Sequence, residues 1–184
     1  AQAATAYVDV TVNSANTASI TMNPGHAYTT TINGINYQFV NITQRILQPS
    51  SGVYIYSNIP IYEGTWVTTK FTVDLSDADQ RFILPNQNVD ISTMTVTIQT
   101  SAQDTTLTTF TKANNLVSVK STTNAYFIQE TIDGEWEVYF GDGVVGTALI
   151  DSNIVILSYV VTNGADANGA SAFTSATSIS GFSD

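Results

Sequence analysis

Val8, Val10 and Val12 alternate with Tyr7, Asp9 and Thr11 near the start of the chain. Side chains of an extended strand point to opposite faces in turn, so this period of two predicts a strand with one buried face. Residues 28–40 carry the clearest local signal of the first half. Asn33-Gly34 is a favoured dipeptide for a type I′ turn, which needs positive φ at both central positions. A two-residue loop there sets Ile32 opposite Ile35, Thr30 opposite Tyr37 and Tyr28 opposite Phe39. Thr31/Asn36 and Thr29/Gln38 fill the other face, so one side of the hairpin is apolar and the other polar. Residues 65–73 alternate again, with Val67, Phe71 and Val73 together. In residues 93–100, Met94, Val96 and Ile98 are predicted inward, with Thr93, Thr95, Thr97 and Gln99 outward.

Turn chemistry punctuates these runs. Pro49-Ser50-Ser51-Gly52 predicts a turn and a candidate subdomain boundary. The polar, acidic residues 74–79 predict a loop or one helical turn, and Pro85-Asn86-Gln87-Asn88 a further turn. Proline within Ile59-Pro60-Ile61 predicts an edge strand, because it lacks a ladder donor. Tyr54, Tyr56 and Tyr62 flank that stretch, and ordinary packing is the expectation for them ahead of a platform for a sugar or protein. The same holds for Trp66 and Trp136. Residues 126–132 and 135–140 flank Asp133-Gly134, a second two-residue hairpin signal. Residues 153–161 are apolar or β-branched on both faces and predict a central, doubly covered strand. Residues 164–180, rich in Ala, Ser, Thr and Gly, predict a linker or the start of a region whose packing partner is missing.

Composition sharpens the fold class. Of 184 residues 28 are Thr and only 11% are charged. Thr is stiff at its first side-chain torsion and suits a half-buried pleated surface, whereas the strong helix formers Lys and Glu are scarce. The expectation is an all-β chain, mainly antiparallel sheets or a sandwich, with little helix and two β subdomains. The first spans 1–60 with the Asn33-Gly34 hairpin, and the second 61–164 with the Phe-Gly-Asp-Gly turn. Residues 165–184 form the linker. The chain opens on Ala1 rather than Met and closes on Gly181-Phe182-Ser183-Asp184, which reads as a piece of something longer.

Charge excludes some partners. The net charge is −10, and the five basic residues Arg45, Lys70, Arg81, Lys112 and Lys120 are scattered. Nucleic-acid affinity needs clustered cations against phosphate, so no nucleic-acid partner is expected, and no anionic membrane surface either. No apolar run approaches the ~20 residues of a spanning helix, and no signal peptide is visible. Cysteine is absent, which removes disulfides and thiolate metal sites.

Candidate chemistry is sparse. Gly141-Asp142-Gly143-Val144-Val145-Gly146 matches a dinucleotide fingerprint literally, but that fingerprint needs a helix next, and a β-branched strand follows within a few residues. A tight turn built by Gly141, Asp142, Gly143 and Gly146 is the expectation. His26, the single histidine, sits beside Pro24-Gly25 in an expected surface loop. Asp166-Ala167-Asn168-Gly169 is only a fragment of a calcium loop. No catalytic, cofactor-binding or metal-binding residue is assigned. In the Asp133-Gly134 hairpin a two-residue loop would set Glu130 opposite Glu137, and like charges facing each other are unfavourable. Either the register differs or a cation or a partner's Lys/Arg neutralises them, which makes both acids candidate partner-facing residues.

Several runs resemble a known family. Tyr126-Phe127-Ile128-Gln129-Glu130, Trp136 through Gly143, Gly146, Tyr159, Asn163-Gly164 and Asn168-Gly169-Ala170 resemble the baseplate J-like family. Within it they are most similar to the large wedge proteins of contractile-tailed phage baseplates. Ile61-Tyr62-Glu63-Gly64-Thr65-Trp66, Arg81-Phe82-Ile83-Leu84-Pro85-Asn86 and the Asn23-Pro24-Gly25 turn before Tyr37-Gln38-Phe39 extend the resemblance over most of residues 20–170. It implies a non-enzymatic structural subunit of the virion tail baseplate, assembled in the bacterial host cytoplasm. It also implies contacts with other wedge and hub-proximal proteins, a dimer or ring in the full-length protein, and a response to sheath contraction. The family's helical amino-terminal and carboxy-terminal dimerisation regions are not evident here. A receptor- or carbohydrate-binding domain of a tail fibre is the alternative, and a glycan-cleaving domain using an acid pair is a distant third.

Overall fold

The computed structural model describes residues 1–13 and 17–182. Ser183 and Asp184, the last two residues of the expected linker, lie outside them. The chain is all-β. Its strands are β1 (Thr5–Asn13), β2 (Ile20–Met22), β3 (Ala27–Ile32), β4 (Ile35–Asn41), β5 (Arg45–Leu47), β6 (Val53–Glu63) and β7 (Thr65–Thr72). They continue with β8 (Phe82–Ile83), β9 (Val89–Gln99), β10 (Leu107–Lys112), β11 (Ala125–Glu130), β12 (Trp136–Phe140), β13 (Ile154–Val161) and β14 (Thr174–Ser175). Helix among the described residues is limited to two 3₁₀ turns, Leu116–Ser118 and Gly164–Ala167.

The chain divides into two units, each discontinuous in sequence. Unit 1 comprises Ala1–Val67, Asn88–Thr93 and Tyr159–Asp184, and unit 2 comprises Thr68–Gln87 and Met94–Ser158.

Unit 1 holds a five-stranded sheet of order β1-β6-β4-β3-β14 and a small β2-β5 pair. The β3–β4 hairpin has the register its turn dictates, from Ile32↔Ile35 through Thr30↔Tyr37 to Tyr28↔Phe39. Asn33 and Gly34 take φ of 50° and 81°, the type I′ conformation. Tyr28 and Phe39 are buried, whereas Thr29, Thr31, Asn36 and Gln38 face outward. The core adds Val12, Ile20, Met22, Tyr54, Tyr56 and Ile61. Each buried aliphatic side chain of this size contributes roughly 1.5–3 kcal/mol. The phenols are not abandoned in that core: Tyr56 donates to the Ile20 carbonyl at 3.0 Å, and Tyr54 to that of Thr17.

Proline does not put β6 at an edge. The strand lies between β1 and β4, and Pro60 pairs with Tyr7 in the stretch that β4 leaves uncovered, since β4 meets only residues 61–63. A bulge supplies the reason for the irregular sequence pattern. Val8 faces Ile59 and Val10 faces Tyr56, so Ser57 and Asn58 together oppose Asp9. Asn58 has φ of 54°, and its N–H donates to Asp9 Oδ1 at 2.6 Å. The extra residue shifts the inward phase from Tyr54 and Tyr56 to Ile59, Ile61 and Glu63.

Residues 164–182 are part of unit 1 rather than a bare linker. Ala167 and Ile179 are buried in its core, and β14 pairs with β3 through Thr174↔Thr29 and Ser175↔Tyr28. Pro49 to Gly52 turns the chain from β5 into β6 within the same unit, with Ser51 at φ 54° and Gly52 at φ 78°.

Unit 2 is built on the sheet order β7-β13-β9-β10-β11-β12-β8. Met94, Val96 and Ile98 are buried, as their spacing predicts, and β13 is central, with Val155 and Leu157 fully enclosed. A run of edge-on aromatic contacts crosses this core: Phe71–Phe82 at 5.6 Å, Phe82–Phe140 at 5.7 Å and Phe110–Phe140 at 5.6 Å between ring centroids. Such pairs add about 0.5–1.5 kcal/mol each beyond the area they bury.

Thr93, expected outward, is buried at the unit 1 end of β9. Its hydroxyl donates to the Asp90 carbonyl at 2.7 Å and accepts the Val160 N–H at 2.9 Å. A threonine here satisfies two backbone groups that an apolar side chain would leave bare.

Candidate functional site

The glycine run forms a closed turn with no helix after it. Asp142 Oδ1 accepts the N–H groups of Val144 and Val145, both at 2.9 Å, and these bonds hold its carboxyl below the usual carboxylate range. Gly143 N–H donates to the Gly146 carbonyl at 3.0 Å. A Cβ on Gly141 would lie 2.4 Å from the carbonyl carbon and oxygen of Gly146 and from the Val145 oxygen. Every turn donor named here is answered by the turn's own oxygens. A dinucleotide pyrophosphate would need such donors free at a helix N-terminus.

The turn is tied to a second loop. Gly146 N–H donates to the Lys120 carbonyl at 3.1 Å, and Thr147 N–H to that of Thr123 at 2.9 Å. The paired loops display Leu116, Val117, Val144 and Ile150, of which Val117 is 93% and Val144 74% exposed. Beside them Ile98, Phe110, Leu149 and Ile150 line an open cleft of about 320 Å³, with Asn124 and Asn153 among its polar lining. Exposed aliphatic side chains on adjoining loops are a feature of contact surfaces.

The β11–β12 hairpin departs from its predicted register. Gln129, not Glu130, faces Glu137, and Glu130 faces Trp136. Thr131 N–H donates to the Glu135 carbonyl at 2.7 Å, and Gly134 N–H to that of Thr131 at 3.0 Å. The loop therefore has three residues, with Gly134 at φ 78°. That is the common type I turn plus glycine bulge, which needs glycine at its last position. The two like charges are thus never opposed.

Glu137 is answered within the chain. Arg81 Nε donates to its Oε1 at 2.8 Å and Nη2 to its Oε2 at 2.7 Å, with Gln129 Nε2 on Oε2 at 2.9 Å. These bonds, the guanidinium first, pull its pKa down to about 2. Glu137 is 8% exposed. Glu130 remains exposed, near a hairpin tip that carries Asp133, Glu135 and the fully exposed Ile132.

Two polar centres escaped the sequence reading. His26 is buried rather than on a surface loop. Its Nε2 meets Ser175 Oγ and its Nδ1 meets Thr177 Oγ1, both at 2.9 Å, and its ring packs edge-on to Tyr28 at 4.9 Å. Nothing near His26 in sequence announces partners 149 and 151 residues away. Glu63 is 1% exposed. Its Oε2 accepts Thr162 Oγ1 at 2.5 Å and Asn163 N–H at 2.9 Å, and its Oε1 accepts Asn163 Nδ2 at 2.9 Å. The alternation Ile59, Ile61, Glu63 was the available signal for its inward direction. Both centres are filled by partners from the same chain. Among the described residues no group of three or more His, Asp or Glu is placed to hold a metal ion.

β-sheets whose buried side-chain polar atoms all have partners among the described residues, with aliphatic side chains exposed on paired loops, are features of structural assembly modules. The chain is a member of the family of the third domain of bacteriophage baseplate wedge protein gp6, which matches residues 68–162. The match starts at Thr68, where unit 2 also starts. The chain is similar as well to the baseplate wedge protein gp6 of Enterobacteria phage T4, at 35% identity over 74 residues, covering 32% of this chain and 11% of that protein. It therefore spans about a tenth of that relative's length. Membership makes it a structural domain of a phage tail baseplate.

Proposed function

We propose that this chain belongs to a wedge protein of a contractile tail, where it makes inter-wedge contacts around the hub and relays the contraction trigger. It has no enzymatic role in this reading. Its partners are other wedge and hub-proximal proteins, its full-length form is a dimer or ring, and assembly takes place in the host cytoplasm. A common origin with baseplate J-like proteins is part of the same proposal. The family match over residues 68–162 carries the reading. The exposed aliphatics of the paired loops support it, because apolar side chains at the centre of a patch favour association once water is excluded. Glu130, with the acidic hairpin tip beside it, is the acid left to face a partner, since the charge of Glu137 is already met by Arg81. Gly141, Asp142, Gly143 and Gly146 serve as the structural turn that holds the paired loops.

Electron microscopy of particles from a phage whose copy of this region is deleted tests the reading. The expected result is heads without baseplates or sheathed tails. Complete sheathed tails that fail to adsorb to cells would overturn it in favour of a receptor-binding domain.

A further inference from the structure

Residues 172–182 cross unit 1 as a strap. Its ladder with β3 is two residues long, Thr174↔Thr29 and Ser175↔Tyr28, extended by one bond from Ala176 N–H to the Ala27 carbonyl at 2.8 Å. Side chains do much of the remaining holding. Ser175 Oγ donates to the Thr177 carbonyl at 2.8 Å, so its oxygen is the acceptor for His26 Nε2–H. Thr177 Oγ1 accepts the Ala27 N–H at 3.3 Å and meets His26 Nδ1 at 2.9 Å. Further along, Ser180 Oγ accepts the Thr21 N–H at 2.9 Å and donates to the Thr21 carbonyl at 3.1 Å.

Apolar anchoring rests on three side chains, Phe173, Ile179 and Phe182, of which only Ile179 is fully buried in the core. Phe173 packs edge-on against Phe39 at 5.0 Å, and Ile179 is buried beneath a tight turn in which Ile179 and Phe182 exchange two backbone hydrogen bonds. The other strap residues are Ala, Ser, Thr and Gly. Two open clefts flank the seat: one of about 220 Å³ under residues 177–180, and one of about 290 Å³ beside Ala172 and Thr174. Few buried apolar contacts and a short ladder define the low-stability end of a fold. Upstream, Ala167 is fixed in the core, and Gly169 follows at φ 93° with nothing within 4 Å of where a Cβ would stand. Glycine is the residue least restricted in backbone conformation, so Gly169 is where the chain between Ala167 and the strap can pivot most easily.

We propose that residues 172–182 are an exchangeable strap, and that its seat on β3 accepts the same strap from a second copy of this chain. The seat is shaped for that occupant. It offers the β3 edge, the His26 imidazole for a Ser-x-Thr pair, and apolar positions for an aromatic and, six residues on, an isoleucine. Exchange reuses every contact of the closed form, which is why swapping an element is an accessible route to association.

The chain lacks cysteine, so disulfide trapping is clean. Thr29 and Thr174 are exposed and directly paired, and paired strand residues lie about 5.5 Å apart at Cα, within disulfide range. The double variant Thr29→Cys/Thr174→Cys should close a disulfide within one chain. Thr29→Cys mixed with Thr174→Cys should form a mixed dimer. That dimer should appear about tenfold or more faster than in a mixture of Thr11→Cys with Thr174→Cys, because only the seat concentrates the two thiols. Equal rates in the two mixtures would overturn the exchange, and failure of the double variant to close within one chain would overturn the seat.

Discussion

Arg81 grips Glu137 with two donors on one edge of its guanidinium fork, across 56 residues of sequence. The pair fixes where β12 stands against β11, because Glu137 must face Gln129 and the loop before β8 at once. A bidentate contact of this kind carries geometric specificity that a single point charge does not.

Glu137→Gln should lower stability near neutral pH, and the deficit should fade in acid. The folded carboxyl titrates at about 2, below its ordinary value of 4.5. A depressed folded pKa contributes stability that is fully present above the unfolded pKa and is lost as pH falls through the folded one. The urea midpoints of wild type and variant should therefore differ at pH 7 and converge between about pH 4.5 and 2. A constant gap across that window would mean the ion pair is not the source.

Gly141→Ala should be far more costly than Gly143→Ala. The first drives a methyl to within 2.4 Å of backbone carbonyl atoms, whereas the nearest atom at Gly143 is the Ala148 Cβ at 3.8 Å. Roughly 3 kcal/mol or more is expected for Gly141→Ala, against about 1 kcal/mol for Gly143→Ala, whose cost is the positive φ alone. Equilibrium urea unfolding of both variants checks the ratio.

Glu63→Ala should cost roughly 3 kcal/mol, because it leaves the Thr162 hydroxyl and both Asn163 donors without their acceptor. Glu63→Gln keeps one acceptor oxygen and should cost less. Calorimetric melting separates the two. Equal losses would mean that charge, not hydrogen bonding, matters at this corner.

Val117→Asp should leave folding unchanged within ~0.5 kcal/mol, since the side chain is 93% exposed. It should still weaken incorporation into baseplates, read as the fraction of sheathed tails in a phage carrying it. Normal tail assembly would remove the paired loops from the proposed contact surface.

The two hairpins show what a sequence can and cannot specify. Asn33-Gly34 imposes a type I′ turn, and the register down to Tyr28↔Phe39 follows from it. Asp133-Gly134 looks equivalent, yet a three-residue loop with glycine in the left-handed region is also open to it. The observed register places Glu137 against Arg81, a partner that no local window contains. Pro60 misleads for a similar reason: its missing donor costs nothing where β4 fails to reach, and the bulge at Asn58 hides the alternation around it. In the sequence Thr93 and His26 look exposed, because polar residues usually are. Their partners, Val160 and residues 175–177, are more than 60 positions away. Patterns within one strand were legible, and satisfaction of buried polar groups from distant segments was not.

The discontinuity of the two units has a consequence for synthesis. All of unit 2 has been synthesised once Ser158 is added, whereas unit 1 still waits for residues from Tyr159 onward. At about 5–20 residues per second, the β3 edge exists for on the order of 10 s before Ser175 and Thr177 reach His26. During that interval a nascent chain on a shared message presents an uncapped strand to its neighbours. Within unit 1, the segment translated latest is thus the one that closes the strands translated first.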